Sequence, residues 1–282
     1  MSCRHVGMLA GIVAMLLTPA AGLAQNTQSV PPAARAATRV SPAPMAPATV
    51  VPTERSRALA LELATLLNTE AMLKQQLDRS YEEILPAMLV ARPDFQEMEA
   101  AYPGIIQVTV DAERKVVVGH AFDHLHRAQA YMGDLYAERF TEAELAKILA
   151  YYHSPTGQRI LSAIAAGYDL SAIITKNIDS FGEAQLEGGD LLKATIPASL
   201  KFLSEMTPQK RREITAFMLT PEARKWTVAQ SEIMQLVAAH ANDMNKPVME
   251  EAQKAVMEDV MDFIAALAAA APETKKSDAN DQ

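Results

Sequence analysis

Three histidines fall close together, at His120, His124 and His126. The i, i+4 spacing of His120 and His124 sets two imidazoles on one face of a helix, an arrangement that can chelate zinc or copper, and Asp123 and Asp134 are the nearest acids. A zinc centre needs more ligands than a pair, and no second cluster supplies them. Counted at about 100° per residue, His120 and His124 lie opposite the apolar stripe of Phe122, Leu125 and Met132, with His126 on its edge. The expectation is therefore solvated surface histidines, with metal binding at His120 and His124 as the alternative.

Other chemistry has less support. Glu82-Glu83, Glu250-Glu251 and Glu258-Asp259 are adjacent acids, which on a helix point about 100° apart and read as solvated faces rather than acid and base pairs. His153 precedes Ser154 with no partner base or nucleophile at a recognisable spacing. The H-E-x-x-H, G-x-S-x-G, phosphate-loop and dinucleotide fingerprints are missing. No catalytic residue and no cofactor is assigned. The aromatic residues Tyr136, Phe140, Tyr151, Tyr152, Phe217 and Trp226 are candidates for the lining of a ligand groove, with core packing as the bland explanation.

These residues need elements to position them, and composition says what those are. Apolar residues make up 49% and aromatics only 5% of the chain, with Ala, Leu, Met and Glu abundant. Such usage favours helices. The segment from Met1 to Ala24 reads as a signal peptide: Arg4, an apolar run from Met8 to Leu17, Pro19, and small residues ending at Ala24. That run is too short to cross a bilayer without strain, so cleavage before Gln25 is expected. The single cysteine is Cys3. A mature chain without thiols leaves out disulfides, thiolate nucleophiles and cysteine-held metals. Cleavage removes Arg4 and no acid, taking the formal charge from −8 to −9. That balance argues against nucleic acid as a partner and disfavours anionic lipid. A periplasmic or secreted bacterial protein is expected, with no stable membrane insertion after cleavage.

Residues 25–54 form a Pro/Ala-rich linker with prolines at 31, 32, 42, 44, 47 and 52, expected to be disordered, and 272–282 is a polar tail. Between them, 55–271 reads as one all-helical domain. Leu59, Leu63 and Leu66 mark a first helix; Asn68-Thr69 stops it and caps a second carrying Leu73, Leu77, Tyr81 and Ile84. Pro86 and Pro93 interrupt the pattern, and Tyr102-Pro103-Gly104 makes a turn. Ile105 to Val118, rich in β-branched residues, admits a β-hairpin or a helix. Helix is preferred, because a lone ribbon is marginal and no other strand is found to join it. Toward the C-terminus, Met249, Ala252, Val256, Val260, Phe263 and Leu267 step by three and four along another helix, and its methionines suit either an adaptable binding face or docking on the domain itself.

The most informative stretch is Tyr136 to Leu161. Thr141 and Glu144 form a capping box, Phe140 and Leu145 a hydrophobic staple, and Ser154-Pro155 ends one helix and starts the next. The grammar returns further along at one constant shift and without a gap, Thr207-Pro208 matching Thr141-Glu142, Phe217 matching Tyr151, Thr220-Pro221 matching Ser154-Pro155, and Trp226 falling on Ile160. The second copy lacks box and staple, because Lys210 and Arg211 hold those positions. Two degenerate helix-turn-helix units, around 136–176 and 202–241, are expected to pack on each other within a helical bundle.

Phe140, Thr141, Glu144, Leu145, Ile148, Tyr151, Tyr152, Ser154, Pro155 and Gly157 together resemble the hallmark of the bacterial domain-of-unknown-function family 2059. The resemblance implies an exported, all-helical protein and brings no catalytic residues. It also favours helix over hairpin for Ile105 to Val118. The expected role is non-catalytic: binding an envelope protein or a small apolar ligand between the helices. The alternative is an envelope enzyme or metal carrier using His120, His124 and His126.

Overall fold

The computed structural model describes residues 50–180 and 184–270, and among them there is no strand. The signal peptide, most of the linker and the tail from 271 on lie outside the described residues. The helices run α1 Glu54–Leu67, α2 Glu70–Arg79, α3 Leu85–Val90, α4 Pro93–Ala101, α5 Ile105–Arg139, α6 Glu142–His153, α7 Pro155–Gly167, α8 Ser171–Asp179, α9 Gly188–Glu205, α10 Pro208–Met218 and α11 Pro221–Ala270. The protein is all-α.

Short polar residues start most of these helices. Thr53 caps α1 and exchanges backbone-to-hydroxyl hydrogen bonds with Ser56, so the helix begins at the last residue of the expected linker. Thr69 accepts from the Met72 amide at 3.2 Å to begin α2. Between α2 and α3 the backbone widens into a π-helical turn, Ser80–Ile84, with the Leu85 amide reaching the Ser80 carbonyl. Pro86 explains the widening: it has no N–H to give, and its ring would collide with the carbonyl four residues back. Gly104, at φ 98°, takes the left-handed conformation that ends the turn before α5. The Glu99 carboxylate then accepts from the amides of Gly104 and Ile106 and satisfies the start of α5.

Ile105 to Val118 belongs to α5, a helix of 35 residues. Its β-branched residues do not pair as strands because Ile105, Ile106, Val110 and Val117 are all buried by neighbouring helices. α5 is the axis of the molecule, packed lengthwise against α11 and also against α1, with α2 and α3 alongside its first half. α9 lies against α7 and α11, and α6 against α1. In α11 the buried stripe runs from Trp226 through Ile233, Val237, Ala241 and Val248 to Val260, passing Pro247 inside the helix. No described helix is long and apolar enough to cross a membrane.

Candidate functional site

The unit α6–α7 is built as its sequence suggests. Thr141 Oγ1 accepts from the Glu144 amide at 3.4 Å while Glu144 Oε2 accepts from the Thr141 amide at 2.8 Å. Phe140 and Leu145 are fully buried beside that start, and Ser154 Oγ accepts from the Gly157 amide at 3.1 Å. The unit α10–α11 has the simpler caps expected of it: Thr207 accepts from the Lys210 amide and Thr220 from the Ala223 amide, with Pro208 and Pro221 opening the helices.

The two units touch. The Tyr151 and Phe217 rings stack, and Thr156 Oγ1 donates to Glu213 Oε2 at 2.5 Å. Lys147 pairs with Glu222, and Lys225 reaches both Glu144 oxygens at 2.7 and 2.9 Å. Burial pushes the Glu144 carboxyl up, but Lys225 and the Thr141 amide and hydroxyl outweigh it and hold it below its ordinary value.

Of the six aromatic candidates, four form one packed cluster. Tyr136 and Phe140 are wholly buried, Trp226 is 3% and Tyr152 5% exposed. The indole meets the rings of Tyr136, Phe140 and Tyr152 at centroid distances of 5.0, 5.5 and 6.4 Å. These four seal against one another rather than wall an open groove, and burial raises the Tyr136 and Tyr152 hydroxyl pKa values. Tyr151 and Phe217 are half-buried at the unit boundary.

The histidines are not all solvated. His124 is only 5% exposed, with Nδ1 3.3 Å from Asn245 Oδ1 on α11. The face opposite Phe122, Leu125 and Met132 is covered because α5 is sandwiched, and a wheel drawn for one helix does not show a second partner. His120 does face solvent in part, and its Nε2 lies 3.1 Å from Glu251 Oε2; its ring centre is 6.0 Å from that of His124. His126 turns to Glu70 on α2. Three histidines thus meet three different partners, and among the described residues no group of three or more His, Cys, Asp or Glu is placed to hold a metal ion.

One feature escapes a reading of the sequence. Glu113 on α5 is fully buried; its Oε1 accepts from the Tyr81 hydroxyl at 3.3 Å, and Oε2 has no hydrogen-bond partner among the described residues. Burial pushes its carboxyl well above the ordinary range, only partly offset by Tyr81. Its one sequence signal is a lone acid on the buried face of α5, between Val110 and Val117. On α11, whose methionines the sequence leaves between an adaptable binding face and docking on the domain, Met257 is 44% and Met261 59% exposed. Leu267 follows Val260 on the docked stripe and is 37% exposed near the end of α11.

No curated protein and no solved structure matches the chain. The family to which the capped, proline-started pattern points does match: residues 127–166, from the last turns of α5 through α6 and nearly all of α7, fit the model of a family described as uncharacterized protein conserved in bacteria (DUF2059).

Proposed function

We propose that this is an exported, non-catalytic protein of the bacterial cell envelope that acts by holding another protein against its surface. The signal-like segment Met1 to Ala24 motivates export, and the paired units α6–α7 and α10–α11 are taken as a degenerate repeat that forms one rigid scaffold. The sealed cluster of Tyr136, Phe140, Tyr152 and Trp226 is the observation that carries the reading. It occupies the place where a ligand between the units would sit, and ligand sites are open clefts lined by just such residues. With that place filled by the chain's own rings, the outer surface is what remains for recognition. The alternative, a metal carrier or enzyme at His120, His124 and His126, is weakened by the separate partners those side chains hold.

The test has two arms. Cell fractionation should recover a form beginning at Gln25 from the periplasm or medium, and the purified mature chain should leave Trp226 fluorescence unchanged when apolar fluorescent probes are titrated. Saturable quenching of Trp226 would replace the surface reading with ligand binding, and retention in the cytoplasm would remove the envelope altogether.

A further inference from the structure

The last part of α11 carries two apolar rows. Val248, Ala252, Val256 and Val260 face the domain and are buried, and Phe263 packs beside Gly104. The second row, Met257, Met261 and Ile264, advances by four and three residues and turns outward, with Ile264 half-buried at its edge. A helix that has already buried one stripe has no structural need for another. Two flexible methionines exposed side by side, with Ile264 at their edge, mark a surface that adapts to a partner.

The charges beside the row say which partner. Glu250, Glu258, Asp259 and Asp262 are exposed on the same stretch, and its single lysine, Lys254, is engaged by Glu258 at 3.7 Å. Glu251 adds a further acid, shared with His120. A second copy laid antiparallel across Met261 would bring Glu258 and Asp262 of both chains together, so like charges oppose self-pairing. Anionic lipid is repelled for the same reason. An apolar ridge edged with acids complements an amphipathic helix whose apolar face is bordered by Lys or Arg. We propose that the outward row of α11 docks a cationic amphipathic helix of a partner protein. This rests on the surface-interaction reading above and names its site.

The experiment uses the full mature chain and a labelled synthetic helix of about 18 residues with Leu at i, i+3, i+4 and i+7 and Lys on its flanks. Fluorescence anisotropy should show saturable binding that weakens with salt and falls about tenfold or more in Met257→Gln/Met261→Gln. Glu258→Gln/Asp262→Asn should also weaken it. Equal binding of a Leu/Glu helix, or unchanged binding by the methionine double variant, would overturn the proposal. So would dimerisation lost in that variant, or binding that appears only after residues 25–49 are deleted, since a second copy or the chain's own segment would then be the occupant. Photo-crosslinking in cells from position 261 and, as a distant exposed control, from position 228 separates the two levels. Capture from 261 through a Lys- or Arg-flanked amphipathic helix supports the docking row, and capture there through any other kind of segment overturns it. Capture from 228 alone sinks the row and leaves the surface reading standing; capture from neither sinks both.

Discussion

The ring of Tyr151 lies flat on that of Phe217, centroids 3.6 Å apart and planes 3° from parallel, and the two positions are related by the very shift that superposes the two sequence motifs. Two flanking contacts follow the same operation. Under that shift Lys147 corresponds to Glu213 and Thr156 to Glu222, so the Lys147–Glu222 pair and the Thr156–Glu213 hydrogen bond are counterparts. The two contacts thus join positions that one shift of the sequence exchanges.

If the stack couples the units, Tyr151→Ala and Phe217→Ala should not be additive. A double-mutant cycle by urea unfolding is expected to return about 0.5–1.5 kcal/mol of coupling. Burial, with help from Glu213, pushes the Tyr151 hydroxyl up to about 12, so the coupling should be the same at neutral and mildly alkaline pH.

Gly157 offers a sharper trial of the α6–α7 corner. Within a helix, Gly→Ala ordinarily stabilises by about 0.5–1 kcal/mol. Here an added Cβ would fall 2.6 Å from the Tyr152 Cα and overlap the Tyr151 carbonyl, both backbone groups with no room to yield. Gly157→Ala is therefore expected to lower stability by about 1–3 kcal/mol or more, read as a fall in urea midpoint. Gly189, with open space around its Cβ position, is the control that should tolerate Ala.

His124 should make the α5–α11 interface sensitive to acid. Burial lowers its pKa below the ordinary 6.5, with His120 and Arg127 acting the same way and Asn245 and Asp123 opposing. Below that value the unfolded chain takes up a proton that the folded chain resists, so stability falls as pH drops. His124→Gln should flatten the dependence between about pH 7 and pH 5, measured by urea midpoints. A wild-type slope that survives in the variant would place the acid-sensitive group elsewhere.

Glu113 should act in the other direction. Its folded pKa is raised by burial, so between the ordinary carboxylate value of 4.5 and the raised one the folded chain keeps a proton that the unfolded chain has lost. Stability then declines as pH rises through that window, by up to about 1.4 kcal/mol per pH unit. Glu113→Gln keeps the shape without the charge and is expected to be the more stable protein at about pH 8 by denaturant midpoint, with the gap closing toward pH 4.

Much of the fold can be read from residues that act over one or two turns. Thr69, Thr141, Ser154, Thr207 and Thr220 each cap the helix expected of them, because a cap needs only its own hydroxyl and an amide three residues on. The cap at Thr53 is hidden because it sits at the edge of a proline-rich stretch whose composition suggests linker. Ile105 to Val118 is ambiguous for a related reason: β-branched side chains fit either a pleated surface or a helix buried on several sides, and only the neighbours decide.

The site is less legible. That Tyr136, Phe140, Tyr152 and Trp226 belong together can be suspected from the repeat, yet whether they line a cleft or fill it depends on the separation of helices far apart in sequence. His124 looks solvated because its own helix shows a single apolar stripe, and its cover comes from Asn245 on α11, 121 residues away. The sequence alone settled where the helices capped by Thr69, Thr141, Ser154, Thr207 and Thr220 begin, since those free energies are local. The tertiary structure decided which faces are buried, which acids and histidines lose their water, and which apolar row on α11 is left facing out. Burial is a property of pairs of surfaces, and one strand of sequence carries only one member of each pair.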